Sequence, residues 1–393
     1  MILRIQRLLL GAAFLTFSVG PALADSPSAA STDPMVAYRA YDQAVAEGKL
    51  AEAAVHAQEA WKRAETTWGP TNPNTAGLAF NAAWSLALVR QAANGVEAAN
   101  RAVELADIGA KAYQKSEAQF LLAFAEFEAA NEGDKYRRIM ALDKTAKAIE
   151  GSWRDMLVAD ALTKASMQAT LDGDSERGEI LSARALREVN RLGPQDRNRL
   201  AIAYLASAMA KALDGRKIGA AYEEIIQARV LYGRMRQVDD PTWGALSAWQ
   251  AAIRSKIGTT TSVNGGPGLR LLQTPIEPRS MTAAEMAKVF DARPDCSGIP
   301  RFKRKSGGQD VKLRLLANPR IDFAAVHVRM DLASDGQILN VRLLGATPKP
   351  DIAISTLKSI ATWSFEVPPN TPPTCLKDFD WIFTYSWIDR IPQ

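Results

Sequence analysis

Side chains able to do chemistry are scarce in this 393-residue chain, and their spacing argues against catalysis. There are two histidines. His56 falls inside a helical segment, and His327 alternates with Arg329 and Asp331 along a strand-like run, on what reads as its solvated face. Neither stands at a metal-ligand spacing, so no metal is expected. No Gly-x-Ser-x-Gly elbow supplies a nucleophile to His327. Gly265-Gly266-Pro267-Gly268 follows no strand and opens no helix, which makes it linker and not a phosphate loop. Acidic neighbours such as Glu223 and Glu224 read as a solvated helix face. The basic knot of Arg301, Lys303, Arg304 and Lys305 reads as a solvated turn, with anionic envelope material as the functional alternative. No catalytic set and no cofactor site remains, so the chain is expected not to be an enzyme.

The first 24 residues read as a cleaved signal peptide. Arg4 and Arg7 give the basic start, residues 8–19 are apolar, and Ala22-Leu23-Ala24 is a small-x-small cleavage site. The apolar run is short for a bilayer span, which takes about 20 residues. The expectation is a periplasmic protein with no integral span after cleavage. An inner-membrane anchor is the alternative if the segment is retained. In that oxidising compartment the only two cysteines, Cys296 and Cys375, read as one disulfide. Closing a loop of that length stabilises by about 4 kcal/mol on the chain-entropy account. The net charge of +5 drops by two with the signal segment, too mild for a nucleic-acid partner.

Two kinds of patterning organise the rest. After a disordered lead at 25–33, residues 34–257 are alanine-rich with helical period. Gly48-Lys-Leu-Ala-Glu-Ala53 resembles the middle of a tetratricopeptide repeat, and Ala93-Asn-Gly-Val-Glu-Ala98 repeats it 45 residues on. The connector Trp68-Gly-Pro-Thr-Asn-Pro-Asn-Thr75 resembles that of the longer, kinesin-light-chain-like form. Later helix pairs are expected at 153–171 with 175–191 and at 196–213 with 216–232, before a closing helix at 241–257. The resemblance implies an all-α solenoid whose concave side takes a peptide or helix. A flexible linker is expected at 258–280.

Residues 281–393 change character. A short helix is expected at 282–290, and Val311, Leu313 and Leu315 suggest a strand. Ala324, Val326, Val328, Met330 and Leu332 alternate onto one face, Asp335-Gly336 makes a hairpin turn, and Leu339, Val341 and Leu343 alternate again. Asp351 caps a helix carrying Ile352, Ile354, Leu357 and Ile360, which runs into Trp363-Ser364-Phe365 and a proline-dense loop. A last strand places Phe379, Trp381, Phe383, Tyr385 and Trp387 on one face, expected as core against that helix.

This strand–hairpin–strand–helix–strand order, with Pro319 before it, resembles the C-terminal domain of TonB-type energy transducers. The fold class is thus multi-domain: a tetratricopeptide-like solenoid, then a small α+β (ββαβ) domain. The resemblance implies a link to TonB-dependent outer-membrane transport. A peptide from an outer-membrane receptor would add to a sheet edge by main-chain hydrogen bonds. Carried onto this sequence, the edge is the last strand, with Thr384, Ser386 and Ile388 beside the peptide. That family keeps an inner-membrane helix and a proline-rich spacer; this chain has a signal segment and helical repeats in their place. The function expected is protein–protein interaction in the envelope. The alternatives are a cell-envelope hydrolase, or a structural scaffold that self-associates as a homodimer through the C-terminal sheet edge.

Overall fold

The computed structural model describes residues 32–108, 112–150, 155–193, 196–233, 240–263, 303–306, 323–348 and 351–386. The chain divides into two compact units, Met1–Ala165 with Arg191–Asp196, and Ser166–Asn190 with Arg197–Gln393. Most of the described chain is helical, and a small antiparallel sheet stands near its C-terminal end.

Unit one is built from helical hairpins: α1 (Pro34–Ala46) on α2 (Leu50–Thr67), α2 on α3 (Pro73–Leu88), α3 on α4 (Val96–Glu104), α4 on α5 (Lys115–Ala129) and α5 on α6 (Glu132–Lys147). Helix starts follow from side-chain chemistry. The Asp33 carboxylate accepts from the Met35 amide at 2.9 Å, with Pro34 in the first turn. In the connector expected from the repeat, Asn72 caps α3 by accepting from Asn74 at 2.9 Å, again with proline next in line. Thr75 donates from its hydroxyl to the Gly69 carbonyl at 3.0 Å, tying the connector to the helix it opens. Alanines let the hairpins close: Ala53, Ala57, Ala60 and Ala64 are sealed on α2, and Ala98, Ala99 and Ala102 on α4. Trp61, Phe80, Phe120, Phe124 and Phe127 are among the large side chains buried with them in this unit.

The helix α7 (Asp155–Leu171) passes from unit one into unit two, where α8 (Ser175–Leu192), α9 (Arg197–Asp214), α10 (Ile218–Gly233) and α11 (Pro241–Val263) follow. These match the expected pairs within two residues, except that α11 continues beyond Ile257 to Val263. Nothing in Gly258-Thr-Thr-Thr-Ser-Val263 removes a backbone donor, and the next proline is Pro267, so the helix does not stop at Gly258. The remainder of the expected linker, the helix expected at 282–290 and the strand expected at 311–315 lie outside the described residues, as do the N-terminal signal and most of the lead.

The sheet of unit two has the order β3–β2–β5, all antiparallel: β2 (Phe323–Leu332), β3 (Ile338–Thr347) and β5 (Phe379–Ser386). A second, two-stranded sheet pairs β1 (Lys303–Ser306) with β4 (Ser364–Glu366). Three residues of the basic knot are therefore strand, not turn. The hairpin turn is a three-residue loop, 334–336. The Ala333 amide donates to the Gln337 carbonyl at 2.8 Å, and Gly336 stands at φ +88° as a left-handed bulge residue. The β2–β3 ladder shifts register at two places, leaving a regular run at 340–343 between them.

On one side of the sheet, Ala324, Val326, Val328, Met330 and Leu332 pack with Phe383 against α12 (Asp351–Ile360). The buried residues of α12 are Ile352, Ala353, Thr356, Ser359 and Ile360. Ile354 is a correction: it is 56% exposed, because Ala353 and Thr356 take the inward stripe at helical spacing. On the other side lies α11. Ala325 shares a core with Leu246, Trp249, Ala252 and Ile253 of that helix and Ile382 of β5.

Candidate functional site

The sheet was expected to have one dry face and one wet one; instead a helix packs on each face. His327 is 2% exposed and Arg329 7%, where sequence alternation predicted solvation. The cause is α11, which packs on β2, β3 and β5 on the side where those two side chains stand. Both His327 ring nitrogens are shielded from solvent. The approach is close enough to need glycine on both partners. A Cβ on Gly244 of α11 would lie 2.0 Å from the Leu344 carbonyl oxygen, and one on Gly345 of β3 would lie 2.4 Å from the Gly244 carbonyl carbon. Sequence carried a hint: a glycine inside a strand marks a bulge or a close backbone approach.

With a helix on each face, main-chain groups for a partner remain at the strand edges. β2 is central; β3 and β5 each have one strand neighbour among the described residues. Thr384 pairs with Ala325 and is exposed, and Ser386 pairs with Phe323. Ile388 lies outside the described residues. Of the β5 stripe, Phe383 pairs with Val326 and Trp381 with Val328 and both pack in the α12-side core, while the side chains of Phe379 and Tyr385 and all of Trp387 lie outside the described residues. Trp363 meets Phe383 edge-on at 5.0 Å between ring centroids, and Phe365 meets Trp381 at 5.1 Å. Such pairs contribute about 0.5–1.5 kcal/mol each beyond area burial. The Trp363 indole N–H donates to the Ser359 hydroxyl at 3.2 Å.

A polar clasp holds the approach to β5. Asp331 accepts from the Asn340 amide at 3.0 Å and from the Asp378 backbone N–H at 2.9 Å, and Arg342 bonds Asp378. The Asn340 bond first, then the backbone N–H and the Arg342 charge, holds the Asp331 carboxyl below the usual carboxylate range. Asp378 itself stands at φ +52°, a conformation that acidic turn residues tolerate. Just before it, Cys375 is buried in the short 3₁₀ turn Pro373–Leu376 and is disulfide-bonded. Cys296, the other cysteine of the chain, lies outside the described residues.

Among the described residues no group of three or more His, Cys, Asp or Glu side chains is placed to hold a metal ion. No helix there is long and apolar enough to cross a membrane. No protein-family model and no curated protein matches the chain.

Proposed function

We propose that this protein is a non-enzymatic adaptor of the cell envelope, acting in the periplasm, whose TonB-like C-terminal domain receives an extended segment of a partner protein along β5. The observation that carries the reading is the position of β5: last strand, one neighbour only among the described residues, Thr384 exposed on it. A peptide laid there continues the sheet by main-chain hydrogen bonds, which supply affinity without a deep pocket. The aromatic pairs behind β5 keep that edge preformed, which reduces the ordering cost of binding. On this reading the tetratricopeptide-like hairpins dock a second partner, and the Cys296–Cys375 bridge pins the loop entering β5. An outer-membrane receptor of TonB-dependent transport is the partner class that the resemblance points to.

The test is a photo-reactive residue at position 384 in intact cells, with a control at Lys358, exposed on α12. The expected result is a defined adduct at 384, absent at 358, whose crosslinked peptide is an extended segment of an envelope protein. Equal labelling at both positions, or none at 384, removes the strand-addition reading. An outer-membrane receptor in the adduct supports the transport link; a soluble envelope protein keeps the adaptor and removes the transducer role.

A further inference from the structure

One hydrophobic core crosses the boundary between the helical stretch of the sequence and the strand-rich stretch after it. It takes Met209 from α9, Ile225 from α10, Leu246 and Trp249 from α11 and Ala325 from β2, with Ile382 of β5 packed against it. Its axis is α11. Residues Leu246, Ser247, Ala248, Trp249 and Gln250 are buried in succession, which is more than one full turn, so the middle of α11 has no solvated side. A helix that merely ended an array would keep one wet face. Polar contacts tie α11 to α10: Arg229 of α10 donates to the Gln250 side-chain oxygen and lays its guanidinium over the Trp243 ring at 4.3 Å. On the sheet side, the Gly244 and Gly345 backbones meet with no room for a Cβ on either.

We propose that α11 fuses α9, α10 and the three-stranded sheet into one cooperative body, so that the sheet is not a module on a tether and loosening either side loosens the other. The apolar side chains form one cluster and not two, so parting the halves would open both to water. Separating α10 from α11 would also strip the buried Arg229–Gln250 bond, which costs more than apolar area alone. Groups joined in this way open together and not locally. Ile382 belongs to β5, so whatever engages that strand engages the helices as well; the fusion itself does not depend on what β5 binds.

Amide hydrogen exchange on the full chain reads the coupling. Ile225→Ala removes a fully buried side chain from α10, remote in sequence from the strands. The expected result is exchange at least tenfold faster in β2 and β5 as well as in α9 and α10, measured relative to α2 and α5 of the other unit. Val326→Ala, in the core beneath α12, runs the test in reverse and should speed exchange in α9 and α10. A second measurement leaves the core intact. With a protease site inserted between Gly265 and Gly266, the cut protein is expected to elute from gel filtration as one species holding both pieces. Gly244→Ala should weaken their association at least tenfold. Unchanged exchange in β2 and β5 of Ile225→Ala overturns the proposal, and so do cut pieces that separate.

Discussion

Adding one methyl group at Gly244 sets two effects of opposite sign against each other. Gly244 is in the first turns of α11, and replacing a helical glycine by alanine normally stabilises by roughly 0.8–1 kcal/mol. Against this, the new Cβ would lie 2.0 Å from the Leu344 carbonyl oxygen, 2.2 Å from its carbon and 2.8 Å from its Cβ. Real contacts of this kind need about 3.2 Å or more, so helix and strand must part by roughly 1 Å, and the obstacle is backbone that cannot rotate away. Overpacking of this severity costs about 3 kcal/mol, the upper end of the usual range. The net expectation for Gly244→Ala is a loss of about 2 kcal/mol, or roughly 4–8 °C in Tm for a unit of this size. Calorimetry on the full chain measures it, and hydrogen exchange at β2 and β3 shows where the loss falls. Gly133→Ala is the control: its Cβ would meet nothing nearer than 3.6 Å, so propensity alone acts and stability rises by a few tenths of a kcal/mol. An unchanged or higher Tm for Gly244→Ala would refute the packing of α11 on the sheet.

Gly336→Ala combines a left-handed φ of +88° with a Cβ 1.8 Å from the Phe365 carbonyl oxygen, and should cost more than about 3 kcal/mol in a denaturant titration. Asp331 has a folded-state pKa below its unfolded value, so its contribution is present above pH ~4 and is lost as pH falls through the folded value. Asp331→Asn should flatten that acid limb in a stability-against-pH series; an identical limb in the variant contradicts the clasp. Tyr113, stacked on Phe80 at 4.5 Å and donating to the Ala102 carbonyl at 2.6 Å, is pushed by burial to a pKa of about 12. Its contribution is therefore complete below pH ~10 and disappears as pH rises toward 12, a dependence that Tyr113→Phe should abolish at a cost of about 1 kcal/mol near neutrality. Reduction of the disulfide at Cys375 should lower stability by about 4 kcal/mol if its partner is Cys296, and non-reducing peptide mapping checks the pairing.

What the sequence disclosed and what it concealed divide along the range of the interactions. The glycine of the 334–336 turn and the inward Trp381 and Phe383 depend on neighbours within one hairpin or one strand, and they stand where the residue pattern puts them. The burial of His327 and Arg329 depends on α11, which begins more than eighty residues earlier in the chain, and no alternation within β2 could reveal it. Alternation is read by contrast: a small apolar Ala325 followed by His327 and Arg329 looks wet beside Val326 and Val328. Arg329 is long enough to lay its stem on an apolar surface, and imidazole is compact enough to be enclosed, so neither excludes burial. The candidate site was legible to the same degree. Only the resemblance implied the last strand as an edge; the order of elements does not fix it, because β5 pairs with β2 across roughly fifty residues or more of chain. With α11 on one face and α12 on the other, main-chain recognition falls to the strand edges. In this chain those edges differ in kind, one backed by aromatic pairs beside Thr384 and the other lined by Leu339 and Leu343.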